Sequence, residues 1–148
     1  MKREERIERL SNAWGEYLVA SSATSLLEGL VRLDPSHGSA AGWRVRDLKS
    51  WRSNLEATFL IRMYAEFEAG LRDVWRGYYR QTTRPPMKDL LDAISTRRII
   101  PESTVGRVNE VRLYRNHLIH EESEDFEIVP LDEARAALAR FLGRLPFD

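Results

Sequence analysis

The sequence predicts an all-α fold: a helical bundle of four main helices plus a short one, in a single domain over residues 1–148. Apolar residues recur every three to four positions through most of the chain. No stretch has the strict apolar–polar alternation of a half-buried strand. The gaps between periodic segments hold Pro, Gly and Ser, which interrupt helices. At 148 residues, 43% hydrophobic and 31% charged, the chain is globular in composition and long enough to bury roughly 70% of its unfolded surface.

The first helix is expected over about 3–33, where Ile7, Leu10, Trp14 and Leu18, then Leu26, Leu27, Leu30 and Val31, fall at helical spacing with a bend near "SSATS". "DPSHGSAAG" then reads as a flexible loop. A second long helix, about 47–80, presents Leu60, Tyr64, Phe67, Leu71, Val74 and Tyr78 on one face. "RPP" at Arg84 to Pro86 stops it, because proline disfavours helix at the preceding residue and lacks an amide proton. A short helix follows at about 87–97. The next starts behind Pro101 and runs to about 121, with Val105, Val108, Val111, Leu118 and Ile119 on one side. "SEDFEIVP" is a polar or extended connection. "LDEARAALARFLGRLP" closes the bundle, acidic at its start and basic at its end as the helix dipole favours, with Leu138, Phe141 and Leu142 as its stripe.

Composition narrows the chemistry. The absence of cysteine excludes disulfides, thiolate metal sites and cysteine nucleophiles. "MKREERIERL" lacks the apolar core of a signal peptide, and no later run approaches the ~20 residues of a membrane span, so the expectation is a soluble, cytoplasmic protein. Net charge is zero, but residues 72–115 carry 10 basic and five acidic residues while 116–148 carry three and eight. A local field of the first kind attracts phosphate even on a neutral molecule.

The unusual segment is "RLYRNHLIHEE", Arg112 to Glu122, which puts an arginine, an asparagine and two of the three histidines into six residues of an amphipathic helix. On a helical wheel Arg115 lies within roughly 20–40° of Val108 and Ile119, on the apolar stripe. A guanidinium there needs a carboxylate, a wet cleft or a bound anion, since it cannot lose its proton. Glu68, at the border of the apolar face of the second long helix, is the carboxylate placed to pair with it. The functional alternative joins Arg115, Asn116 and His120, with His117 beside them. Arginine offsets charge on a pentacovalent phosphate, the amide orients it, and imidazole titrates near neutrality.

"RNHLIH" resembles the Arg-(Asn)-x-x-x-His signature, an Arg-x(4–6)-His motif, of the HEPN superfamily, whose members are compact helical bundles and often homodimers. The match covers Arg115, Asn116 and His120 on a late helix followed by a final amphipathic one. "YAEFEAGLR", Tyr64 to Arg72, is similar to the aromatic-acidic segment of an earlier helix in several HEPN groups, so the resemblance spans roughly residues 50–145. It implies a metal-independent endoribonuclease, toxin-like, of a toxin–antitoxin or anti-phage defence system, with a composite cleft between two protomers and no cofactor. His120 would then be the general acid or base while the ribose 2′-hydroxyl attacks its phosphate. Arg115 would stabilise the transition state and Asn116 would position it. The resemblance also implies a neutralising partner, of nucleotidyltransferase type. Arg115 and His120 are five residues apart, about 140° around a straight helix, so one helix face cannot present both.

Arg72, Arg76 and Arg80 stand four apart on the predicted second helix with Trp75, Tyr78 and Tyr79 alongside, a mixture suited to phosphate contact and base stacking; a solvated face beside core aromatics is the competing reading. "HLIHE" could hold a metal ion, but its histidines are three apart where helical zinc sites use four, and no third ligand pattern is visible. Two further functions stay open: a non-catalytic HEPN-like module that binds RNA, a nucleotide or a protein through Arg115, and a dimerisation domain in which Arg115 pairs with Glu68.

Overall fold

The computed structural model describes residues 3–120 and 125–146. These form α1 (Arg3–Leu33), α2 (Ser36–Ala40), α3 (Val45–Arg76), α4 (Met87–Arg98), α5 (Glu102–His120) and α6 (Leu131–Leu142), with no strand among them. The protein is an all-α bundle.

The two longest helices, α1 and α3, pack antiparallel. Near one end Arg6 reaches Glu66 at 3.1 Å and Asp73 at 2.5 Å; further along Arg62 bonds Glu16, and near the other end the Trp51 indole donates to the Thr24 hydroxyl at 2.8 Å. On the α3 face that carries Met63, Phe67 and Leu71, the remaining helices complete the core with Leu90 and Ile94 of α4, Val108 and Val111 of α5, and Leu138 and Phe141 of α6. Phe67 meets Phe141 edge to face at 5.5 Å. Gly70 lets α6 approach, since a Cβ there would lie 3.1 Å from a Leu142 methyl.

Helix starts follow from local chemistry. Asp47, in the first turn of α3, accepts the Arg44 backbone N–H at 2.8 Å, and Arg44 holds its carboxyl below the usual range. Pro86 and Pro130 stand immediately before α4 and α6. α4 closes on a left-handed Ile99 (φ 51°), and the Ile100 N–H reaches back to the Ser95 carbonyl at 3.0 Å, as in a Schellman ending.

Three expectations need correction. α3 ends at Arg76, four residues before the predicted Arg80: Gly77 caps it, the Trp75 indole donates to the Thr83 carbonyl at 3.1 Å, and Arg80 has a left-handed φ of 53°. The "DPSHGSAAG" segment contains the five-residue α2, whose Gly38 sits against the Trp43 ring. Most apolar residues of the second half of α1 are not core. Leu18, Leu26, Leu27 and Leu30 are exposed, because α3 is the long helix beside this half among the described residues and it covers the side where Thr24 and Val31 are buried. Likewise Tyr78, beyond the end of α3, is exposed. Among the described residues no helix is long and apolar enough to cross a membrane.

Candidate functional site

The centre of the α3–α5 contact is Tyr64, fully buried in the middle of α3. α5 crosses it so that the Arg115 guanidinium stands over the phenol ring, 5.5 Å from its centroid. The Tyr64 hydroxyl is buried without a hydrogen bond, and burial pushes its pKa up; Arg112, Glu68, Arg115 and Arg72 also act on it. The phenol is therefore neutral, and its surroundings are two arginines from α5 and an ion pair from α3.

Arg115 is half-buried. One terminal nitrogen donates to the side-chain oxygen of the adjacent Asn116 at 3.2 Å, and its Nε is buried without a partner. No carboxylate lies within ion-pair distance of it among the described residues. The pairing with Glu68 does not form. Arg72, one turn further along α3, takes that carboxylate with Nε at 2.8 Å and Nη2 at 2.7 Å. An i,i+4 neighbour on the same helix reaches Glu68 without crossing the interface.

His117 is a packed ring. It stacks on Phe126 at 3.7 Å and 18°, its Nδ1 is buried without a partner, and Phe126 also lies parallel to Tyr114 at 6.0 Å. Burial, with Glu56 nearby, raises the Tyr114 pKa. His120 is exposed and is the last residue of α5. Asn116 is in contact with Arg115, but no bond links either residue to His120 among the described residues. Glu121 of the "HLIHE" reading lies outside the described residues, within which no group of three His, Asp or Glu side chains could hold a metal ion.

The predicted basic row is only partly present. Arg72 is committed to Glu68 and donates to the Pro85 carbonyl at 3.3 Å; Arg76 is exposed and lies 3.6 Å from Asp73; Arg80 falls past the helix end. Trp75 is core, with its ring under Arg97 at 4.7 Å, so Tyr78 is the exposed aromatic of the three. In place of a row the chain builds a pocket of about 240 Å³ lined by Arg72, Trp75, Arg76, Thr82, Thr83 and Arg84. Sequence reasoning missed Tyr64, Arg112 and Arg84 as members of these clusters. Arg112 carried a usable signal, three residues before Arg115 on the same helix.

Comparison with known proteins finds no matching family model, no similar curated sequence and no similar solved structure.

Proposed function

We propose that this protein is a HEPN-type, metal-independent endoribonuclease of toxin or defence character, acting as a homodimer through Arg115, Asn116 and His120. The observation that carries the reading is the state of Arg115: half-buried on the Tyr64 ring, bonded to Asn116, and without a carboxylate among the described residues. A guanidinium in that state has donors to spare for a phosphate oxygen. His120, exposed at the helix end, supplies an imidazole, a side chain that can both accept and donate a proton. The reaction needs only transfer of the 2′-hydroxyl proton, attack on the adjacent phosphorus and protonation of the leaving 5′-oxygen, which leaves a 2′,3′-cyclic phosphate and a 5′-hydroxyl.

The test is incubation with total RNA and tRNA in excess EDTA, wild type beside His120→Ala, followed by analysis of the ends. Cuts confined to wild type and bearing cyclic-phosphate ends are the expected result; identical patterns from both proteins would overturn it. Expression tolerated only with a neutralising partner, of nucleotidyltransferase type by the resemblance, tests the toxin character.

A second reading rests on the lack of any bond between His120 and Arg115 among the described residues. In a non-catalytic module that binds RNA, a nucleotide or a protein partner, Arg115 is an anion clamp, and binding survives His120→Ala but is lost in Arg115→Ala.

A further inference from the structure

The segment between α3 and α4 folds back along the last turns of α3, and its carbonyls are used on that helix. The Gln81 backbone N–H bonds the Trp75 carbonyl at 3.0 Å, the Thr83 carbonyl accepts the Trp75 indole N–H at 3.1 Å, and the Pro85 carbonyl accepts Arg72 Nη1 at 3.3 Å. Pro85 and Pro86 restrict the chain where the segment ends. Arg97 of α4 stands over the Trp75 ring at 4.7 Å and holds it from a third element. The pocket of about 240 Å³ between segment and helix therefore has a wall fixed in advance.

Its lining is rich in donors. Three arginines and two threonines face it together with Trp75, and no carboxylate is among these described lining residues. The Thr83 hydroxyl oxygen accepts the Trp75 indole at 3.3 Å, which leaves its proton free to donate. Thr82 and Arg84 are exposed, and their side chains hold no hydrogen bond or ion pair among the described residues.

Charge balance and size narrow the ligand. Glu68 offsets Arg72 at 2.7 Å. Arg76 lies 3.6 Å from one oxygen of Asp73, whose other oxygen holds Arg6 at 2.5 Å, so one carboxylate serves two arginines. With Arg84 unpaired, roughly one to two positive charges are left over, the amount that a phosphate monoester balances at about −1.5 to −2 near neutral pH. The volume is below the ~300–1,000 Å³ of pockets that enclose a whole drug-sized ligand. One charged group fits inside, with its carrier outside.

We propose that this pocket binds a phosphate monoester, Arg76 and Arg84 donating to its oxygens and the Thr82 and Thr83 hydroxyls completing the set. The carrier is a free nucleotide or the 5′ end of an RNA, which share this chemistry. The inference does not rest on the ribonuclease reading: the pocket contains none of Arg115, Asn116 and His120, and a terminal phosphate differs from the diester that is cut.

The test follows the Trp75 indole N–H by NMR in the full chain while inorganic phosphate, adenosine 5′-monophosphate, or a short oligoribonucleotide with a 5′-phosphate or a 5′-hydroxyl is added. The oligonucleotides are titrated into His120→Ala, so that cleavage does not intervene. Inorganic phosphate and the monophosphate should displace the resonance saturably, and the 5′-phosphate oligonucleotide should bind more tightly than its 5′-hydroxyl form. Arg84→Ala, at an exposed residue, should keep the circular-dichroism spectrum and weaken phosphate binding about tenfold or more, the size of a lost charge-assisted hydrogen bond. Arg46→Ala, exposed at the opposite end of α3, should leave it unchanged. A monophosphate that binds more tightly than the phosphorylated oligonucleotide assigns a free nucleotide; the reverse order assigns an RNA end. No saturable displacement by any phosphate, equal binding of the two oligonucleotides, or an equal loss in Arg46→Ala and Arg84→Ala would overturn the proposal. Phosphate binding that is the same in wild type and His120→Ala keeps this result separate from the cleavage assay.

Discussion

Arg6 and Arg115 occupy the same kind of place, a helix face packed on α3, and are treated in opposite ways. At the α1–α3 contact, the two terminal nitrogens of Arg6 each hold a carboxylate, Glu66 and Asp73. At the α5–α3 contact, Arg115 holds its neighbour's amide and rests on an aromatic ring, with no carboxylate at ion-pair distance among the described residues. Both leave Nε without a bond, so the difference lies in the terminal nitrogens. An arginine supplied with two carboxylates has its charge balanced within the fold. One placed over a neutral phenol keeps capacity for an outside anion.

The largest effect expected is at the first site. Arg6→Ala should lower stability by about 3 kcal/mol, the low end for breaking a buried pair because both carboxylates keep some access to water; urea unfolding followed by circular dichroism measures it. A loss under about 1 kcal/mol would erase the contrast by showing that Arg6 is also dispensable. Next comes Phe126→Ala, which strips the ring stacked on His117 and should cost about 1–2 kcal/mol. Its further consequence is a displaced His117 ring-proton resonance in NMR as the stacked ring is lost, and an unmoved resonance would mean the stack is not held in solution.

Arg115→Ala is expected to cost about 1 kcal/mol or less, the size of a partly exposed cation–π contact, while abolishing RNA cleavage or binding. A loss of about 3–5 kcal/mol would instead make Arg115 a second Arg6. The smallest change at neutral pH is Tyr64→Phe, which removes a buried hydroxyl that has no hydrogen bond and should leave stability level or slightly raised. Its effect belongs to alkaline solution. The folded protein keeps the Tyr64 proton to higher pH than the unfolded chain does, so this contribution is fully present below pH 10.0 and is lost as pH rises above it. Thermal melts from neutral to alkaline pH should therefore fall less steeply in Tyr64→Phe. They should not become flat, because Tyr17, Tyr79 and Tyr114 are also raised. Superimposable alkaline limbs would show that Tyr64 is not the buried phenol described.

The elements most legible in the sequence were those whose periodicity is enforced by burial. Leu60, Tyr64, Phe67, Leu71 and Val74 lie on the buried face of α3, and Leu138, Phe141 and Leu142 on that of α6. Periodicity failed where no third layer follows. The leucines of the second half of α1 have the spacing of a core face, yet spacing reports only that one side of a helix is apolar, not that something covers it. The expected end of α3 lies too far along because Tyr78 continues the repeat past Gly77, where the cap N–H bonds the Asp73 and Val74 carbonyls, and the following segment folds back to a Trp75–Thr83 contact that no local pattern encodes.

At the candidate site the wheel argument found Arg115 because a charge sat among apolar neighbours. The same reasoning applies to Arg6, on one face with Leu10 and Ala13, where it was not used. It could not choose Glu68's partner: Arg72 and Arg115 both suit the carboxylate, and the choice depends on how closely α5 approaches α3. Nor could it show that Tyr64 would be the surface on which Arg115 rests, since a buried tyrosine in an aromatic stripe looks like packing until the crossing helix is in place.

The second half of α1 and the first ten residues of α3 form a two-helix arm, held by Thr24–Trp51 and Glu28–Arg52. Each helix of the arm has the other as its long neighbour among the described residues, where the remaining halves of α1 and α3 are enclosed by the body. Two helices joined at the tip by α2 can separate without disturbing Phe67 or Phe141, so amide hydrogens of the second half of α1 should exchange with solvent by local opening, well before those around Met63. Exchange at Met63, enclosed by the body, would instead track global unfolding.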